Sequence, residues 1–246
     1  MKRLKARLVI KGFTQKEGID YTEIFSPMVK MTTIRILMTV AVKRHWHLHQ
    51  LDVNNAFLHG DLHKDIYMRL SYGLTSRIFN AFCKLNKSLD GLKKASRQSY
   101  GKLAEVLYKR GYKHSENDYS LFSKKSNGST VFVAVYVNDI LVTGTDEYEI
   151  QDLKAHLNVT FTIQDLGLVN YFLRLEVLQS SQGLILTQRK FTMDLLKEFN
   201  CDDNTGVITP LDRNLNLRHD EGDLFPKPTQ YRKLVGKLKF SHSYKA

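Results

Sequence analysis

Two places along the chain set carboxylates among apolar neighbours. Asp52 lies in Gln50-Leu51-Asp52-Val53-Asn54, where Leu51 and Val53 alternate with polar residues as in a half-buried strand. Asn138-Asp139 separates the strand-like run Val131 to Tyr136 from Ile140-Leu141-Val142 and reads as a tight reversal. A carboxylate at the edge of a core is costly unless it is paired or binds metal. Taken singly, each has a plainer reading: Asn-Asp is a good turn dipeptide, and an aspartate in a strand can simply face water. Other groupings carry less. His45, His47 and His49 alternate, so a strand there points all three one way. No complementary cluster follows at zinc-ligand spacing, and the run reads as a polar strand face. Ser96 with His114 lacks a nucleophile-elbow motif, and the sequence has no glycine-rich phosphate loop.

The elements that must hold these residues follow from periodicity. Thr32 to Arg44 carries Ile34, Leu37, Met38, Ala41 and Val42 on one helical face, and His49 to Leu58 reads as a strand. A helix from about Ser96 to Arg110 turns Tyr100, Leu103 and Leu107 inward and stops at Gly111. Tyr119 to Ser123 is a short strand, and Asn127-Gly128 turns it back into Val131 to Tyr136. Asp146 and Glu149 form a capping box for a helix holding Ile150, Leu153 and Leu157. Strands at Tyr171 to Val177 and Leu184 to Leu186 precede a helix around Phe191, Leu195, Leu196 and Phe199. A last helix runs through Tyr231, Leu234, Val235 and Leu238. Helices interleaved with hairpins predict an α+β fold around an antiparallel sheet.

Bulk composition narrows the partners. At 246 residues and 42% hydrophobic, the chain can bury a sizeable core as one large domain or two lobes. No run approaches the roughly 18 apolar residues of a membrane span, and no apolar stretch follows the basic start as in a signal peptide. Cys83 and Cys201 stand alone, which fits a reducing compartment. The expectation is a protein that is not secreted and not in a membrane, located in the cytoplasm with nuclear entry open to it. A net charge of +12 favours polyanionic partners, because each phosphate neutralised releases condensed counterions.

Longer stretches of wording add a family. Gln50-Leu51-Asp52-Val53-Asn54-Asn55-Ala56-Phe57-Leu58 and Tyr136-Val137-Asn138-Asp139-Ile140-Leu141 resemble the first and third polymerase motifs of copia-type retrotransposon reverse transcriptases. Lys5 to Gln15 is similar to that family's fingers segment, and Phe25 to Thr32 to the lead into its first palm helix. Ser88 to Gln98 resembles the second motif, and Asp165-Leu166-Gly167 with Tyr171-Phe172-Leu173 the approach to the primer grip. The resemblance covers nearly the whole chain and implies one right-hand polymerase core, truncated at both ends. It would have partial fingers (about 1–28 and 59–95), a palm with the antiparallel sheet (about 29–58 and 96–177) and a small thumb or connection (178–246).

It also implies RNA-directed DNA synthesis on a primer–template from deoxynucleoside triphosphates, with two Mg²⁺ ions that Mn²⁺ can replace. In the family's pattern Asp52, Asn138, Asp139 and Val53 take the metal positions. Arg7, Lys5, Asn55, Ala56, Phe57, Asp90 and Gly91 fall at the nucleotide, with Phe57 beneath the incoming sugar. Phe172, Leu173 and Arg174 fall in the primer grip.

This copy departs from that pattern in ways that point to impairment. Asn138 replaces the first aspartate of the turn, removing a negative charge where losing one preorganised electrostatic group costs on the order of 10²–10³ in rate. Asp90 stands at a usual Tyr, Lys94 at a usual Gln, Ser99 at a usual Trp and Arg174 at a usual Gly. The tail after Gly236 and the late start fit a decayed genomic fragment. Alternatives stay open at this point: a non-catalytic remnant that binds primer–template, a metal-dependent nuclease on Asp52 and Asp139, or a chain that does not fold stably.

Overall fold

The computed structural model describes residues 8–62, 64–70, 81–180, 183–201 and 226–242, and divides into two compact units, Met1–Val169 and Asn170–Ala246. It is α+β, and all named sheet pairings are antiparallel.

The first unit opens with helix α1 (Met31–Lys43), which buries Ile34, Leu37, Met38 and Ala41 at helical spacing. Strand β1 (Leu48–Val53) follows, and then a 3-10 turn, Ala56–His59. The short hairpin β2 (Tyr67–Arg69) with β3 (Phe82–Lys84) leads to α2 (Ala95–Lys109), which ends at Gly111 with φ +84°. Next come β4 (Lys113–Ser115), β5 (Asp118–Ser126), β6 (Ser129–Tyr136), β7 (Asp139–Gly144), helix α3 (Glu147–Phe161) and β8 (Ile163–Leu168). Six strands form one sheet in the order β4-β5-β6-β7-β1-β8, so β1 and β7, which carry the aspartates, are interior neighbours.

Side chains alternate across a strand, and the sheet's two faces divide accordingly. Leu51, Val53, Val131, Val133, Val135, Ile140 and Val142 join one buried cluster with Leu103 and Leu107 of α2 and Ile150, Leu153 and Leu157 of α3. The opposite face carries Gln50, Asp52 and Asp139. Trp46, just past α1, stacks on Phe132 with ring centroids 6.2 Å apart. Asp118 ties the start of α1 to β5: its carboxylate accepts from the Lys30 amide at 2.9 Å and the Thr33 hydroxyl at 2.6 Å.

The second unit contains β9 (Tyr171–Phe172), β10 (Leu175–Ser180), β11 (Gly183–Thr187), α4 (Arg189–Glu198) and α5 (Pro228–His242). Its three strands form one sheet, and Glu198 of α4 pairs with Lys233 and Lys237 of α5.

Four local expectations are corrected. The strand expected over His49 to Leu58 ends at Val53, because Asn55 turns left-handed (φ +49°), a conformation asparagine tolerates, and a 3-10 turn follows. The strand expected over Tyr171 to Val177 is a hairpin: Leu175 pairs with Phe172 across Leu173 and Arg174, both at positive φ. Two residues at φ > 0 match a primed turn, whose usual glycine or asparagine is missing here. Strand β8 has no counterpart among the expected elements, since five of its six residues are exposed and show no alternation. Only half of the capping box forms. The Asp146 carboxylate accepts from the Glu149 amide at 3.0 Å, but Glu149 turns its own carboxylate to the Tyr112 hydroxyl and to Lys124.

Candidate polymerase site

Register brings the aspartates together. In the β1–β7 pairing Leu51 faces Ile140 and Asp52 faces Asp139, so both carboxylates emerge on the face away from the main cluster. The connection from β6 to β7 is tighter than expected. Tyr136 pairs with Asp139, so the turn residues are Val137 and Asn138, and Asp139 begins the strand. Val137 sits at φ +57°, which is rare for a β-branched residue. A residue held in such a region costs on the order of 1–3 kcal/mol and persists only where its surroundings over-determine it. Here the flanking β6–β7 ladder does so, together with a hydrogen bond from the Val53 amide to the Asn138 carbonyl at 2.8 Å.

The Asn138 side chain points at Asp52. Its Nδ2 donates to Asp52 Oδ1 at 2.5 Å. Gln50, buried and two residues before Asp52 on the same face, hydrogen-bonds Asp139. Sequence reasoning missed Gln50, although a buried amide two residues from an aspartate in a strand was a signal available to it.

Burial first, and the charge of Asp52 second, push the Asp139 carboxyl up to about 6 from an ordinary 3.8, against the Gln50 hydrogen bond. The folded chain therefore binds this proton more tightly than the unfolded chain does. The associated stability is present in full below about pH 4 and is lost as pH rises through 6. In chelator, melting of Asp139→Asn should lose that part of the pH dependence and exceed the unsubstituted chain at pH 8. Parallel melting-temperature profiles between pH 4 and 8 would contradict this.

Two carboxylates side by side supply hard oxygen ligands of the kind divalent ions such as Mg²⁺ take. That donor set fits one cation. For a second ion it is poorer: Asn138 offers only a neutral amide oxygen where a carboxylate would bring charge. Val53 contributes its backbone to the turn, while its side chain packs in the core.

The other expected residues lie as follows. Asn55 is exposed, and buried Ala56 accepts the Ser99 hydroxyl at 2.8 Å through its carbonyl. Half-buried Phe57 lies in the 3-10 turn that follows the Asp52 strand. Asp90 and Gly91 meet the segment 10–12: the Ile10 amide donates to the Asp90 carbonyl at 2.7 Å, and Gly91, at φ +93°, lies against the Ile10 backbone. Lys5 and Arg7 lie outside the described residues. Phe172, Leu173 and Arg174 belong to the second unit, where Phe172 is buried and the Arg174 guanidinium lies over Phe191, 5.3 Å from the ring centroid.

A cavity of about 420 Å³ elsewhere in the first unit is lined by four carboxylates (Asp20, Glu23, Asp61, Glu105) and four cations (Lys64, Lys94, Arg97, Lys102). None of Asp52, Asn138 or Asp139 borders it, and the paired aspartates rather than that cavity define the candidate site.

Residues 1–213 match the family described as reverse transcriptase (RNA-dependent DNA polymerase). The retrovirus-related Pol polyproteins from transposons RE1 and RE2 of Arabidopsis thaliana are 42% and 40% identical over 241 residues, 98% of this chain. The one from transposon TNT 1-94 of Nicotiana tabacum is 38% identical over 251 residues, 97% of the chain. The chain spans only 16%, 17% and 19% of those three polyproteins. No solved structure matches. The chain belongs to the reverse transcriptase (RNA-dependent DNA polymerase) family, as a fragment of the copia type carried in transposon Pol polyproteins.

Proposed function

We propose that this chain is the RNA-directed DNA polymerase domain of a copia-type retrotransposon, built for two-metal nucleotidyl transfer and impaired by Asn138. The observation that carries this reading is the register pairing of Asp52 with Asp139, with Asn138 turned onto Asp52. In the polymerase layout the first unit supplies fingers (about 1–28 and 59–95) and most of the palm, with thumb or connection from 178. Divalent cations held at Asp52 and Asp139 would supply activation of the primer 3′-hydroxyl and charge stabilisation of the leaving pyrophosphate. The chain's part is to hold Asp52 and Asp139 adjacent and to place Phe57 beneath the sugar of the incoming nucleotide. The net charge of +12 draws the primer–template backbone. A cytoplasmic location, with nuclear entry open, fits this role.

One observation favours a second reading, a non-catalytic binder of primer–template: the Asn138 amide satisfies Asp52 without a cation. The two readings separate on turnover. The chain as it stands should bind a primer on an RNA template, with affinity falling steeply as salt rises, and extend it weakly or not at all with Mg²⁺. Absence of binding would sink both readings, and vigorous extension would sink the impairment.

Phe57 gives a further expectation. In an Asn138→Asp background, Phe57→Ala should reduce discrimination against ribonucleotides on the order of tenfold or more, because a pocket that merely fits poorly cannot reject an added hydroxyl. Competition between the two sugars in extension assays measures this. An unchanged ratio would place Phe57 away from the nucleotide.

A further inference from the structure

We propose that His47, His49 and Glu147 form a binding site for a borderline transition-metal cation such as Zn²⁺, separate from the aspartate pair. His47 immediately precedes β1 and His49 lies within it, and their rings meet edge-on with centroids 6.1 Å apart. Glu147 is the first residue of α3. One ligand atom from each of the three residues falls within 4.8 Å of the others, and side-chain rotation would bring them to the roughly 3.4 Å separations that tetrahedral zinc with bonds of about 2.0–2.2 Å requires. His45, which the sequence pattern grouped with them, lies at φ +56° before the strand and takes no part. The ligand that sequence spacing did not supply comes from Glu147, brought in by the fold.

A second observation points to a ligand. His49 is 8% exposed, and its Nε2 is buried without a hydrogen-bond partner; Glu147 Oε1 stands 3.4 Å away. The ion pair with Glu147 is loose, and a cation held between the carboxylate and the two imidazoles would satisfy the buried ring nitrogen more fully. His47 and Glu147 are exposed, which leaves an entry path and an open position for water. Two imidazoles and one carboxylate suit zinc, whereas magnesium takes oxygen ligands. The site is also distinct in place. His49 shares its sheet face with Leu51 and Val53, while Asp52 occupies the other face.

Lys154 opposes the site. Its Nζ lies 2.9 Å from His49 Nδ1 and 3.2 Å from Asp165. A histidine that ligates through Nε2 carries its proton on Nδ1, where an ammonium is the wrong neighbour. Binding therefore requires Lys154 to turn fully to Asp165, and removing the ammonium should strengthen the site.

The test is calorimetric titration of Zn²⁺ into the full chain with Mg²⁺ in excess, so that the aspartate pair is already supplied with a hard cation. One Zn²⁺ should bind. His47→Ala and Glu147→Gln should each weaken it at least about tenfold, with zinc-free melting recorded for both because Glu147 also meets Gln151 and His49. Lys154→Met should tighten it. No binding, or binding left unchanged by His47→Ala and Glu147→Gln, would overturn the proposal. Weaker or unchanged binding in Lys154→Met would overturn ligation through Nε2.

Discussion

Asn138→Asp should raise Mg²⁺-dependent primer extension by about 10²-fold or more over the chain as it stands. The expectation rests on where the Asn138 side chain points. Its Nδ2 donates to Asp52 Oδ1, so the amide occupies a lone pair of the carboxylate that the chemistry needs. The substitution removes that donor and adds a negative charge beside Asp52 and Asp139. Without a cation, three adjacent carboxylates repel one another, so the same variant should melt lower in chelator and recover when Mg²⁺ is added. Extension that stays at the starting level, with template binding intact, would move the cause of impairment away from this turn. A melt indifferent to Mg²⁺ would argue that the three side chains do not share a cation.

Gly91→Ala should destabilise the first unit by about 3 kcal/mol or more, among the larger effects of a single methyl group. Two independent causes coincide. Gly91 adopts φ +93°, which side chains rarely take, and an added Cβ would lie 1.9 Å from the Ile10 carbonyl oxygen. That oxygen is backbone and cannot swing aside, so the crossing of segment 10–12 over Asp90-Gly91 must open. The Ile10 to Asp90 hydrogen bond would open with it. Gly101 is the internal control: it lies in α2, exposed, with nothing within 4 Å of an added Cβ. Gly101→Ala should stabilise the chain by about 0.5–1 kcal/mol through helix propensity and reduced freedom of the unfolded chain. Denaturant midpoints for the two variants should therefore shift in opposite directions. A neutral Gly91→Ala would mean that the crossing is not part of the folded unit.

What the sequence disclosed depended on whether the physics was local. Helices α1, α2 and α3 follow from apolar residues at helical spacing, with Gly111 as a stop and Asp146 as a cap. Strand β8 lies at the edge of its sheet, and its exposure erases the alternation that marks a strand. Asn127-Gly128 turns where expected, but the sequence misplaces or misses the reversals at 137–138 and 173–174, because Val137, Leu173 and Arg174 adopt positive φ against their own preference. Tertiary pairing imposes that conformation, and no local rule anticipates it.

The site divides in the same way. Asp52 and Asp139 stood out as acids among apolar residues, and family wording linked them. That they face each other, that Asn138 bonds Asp52 and that Gln50 supports Asp139 are matters of register between strands more than 80 residues apart. Glu147 beside His47 and His49 is the same kind of fact.

The most direct measurement is incorporation of a single nucleotide in one turnover, comparing Asn138→Asp with Asn138→Asp combined with Asp52→Asn on the same RNA template and primer. The first should incorporate, and the second should bind equally well without incorporating. Equal incorporation by the two would show that Asp52 is not part of the chemistry, and the site assignment would be wrong.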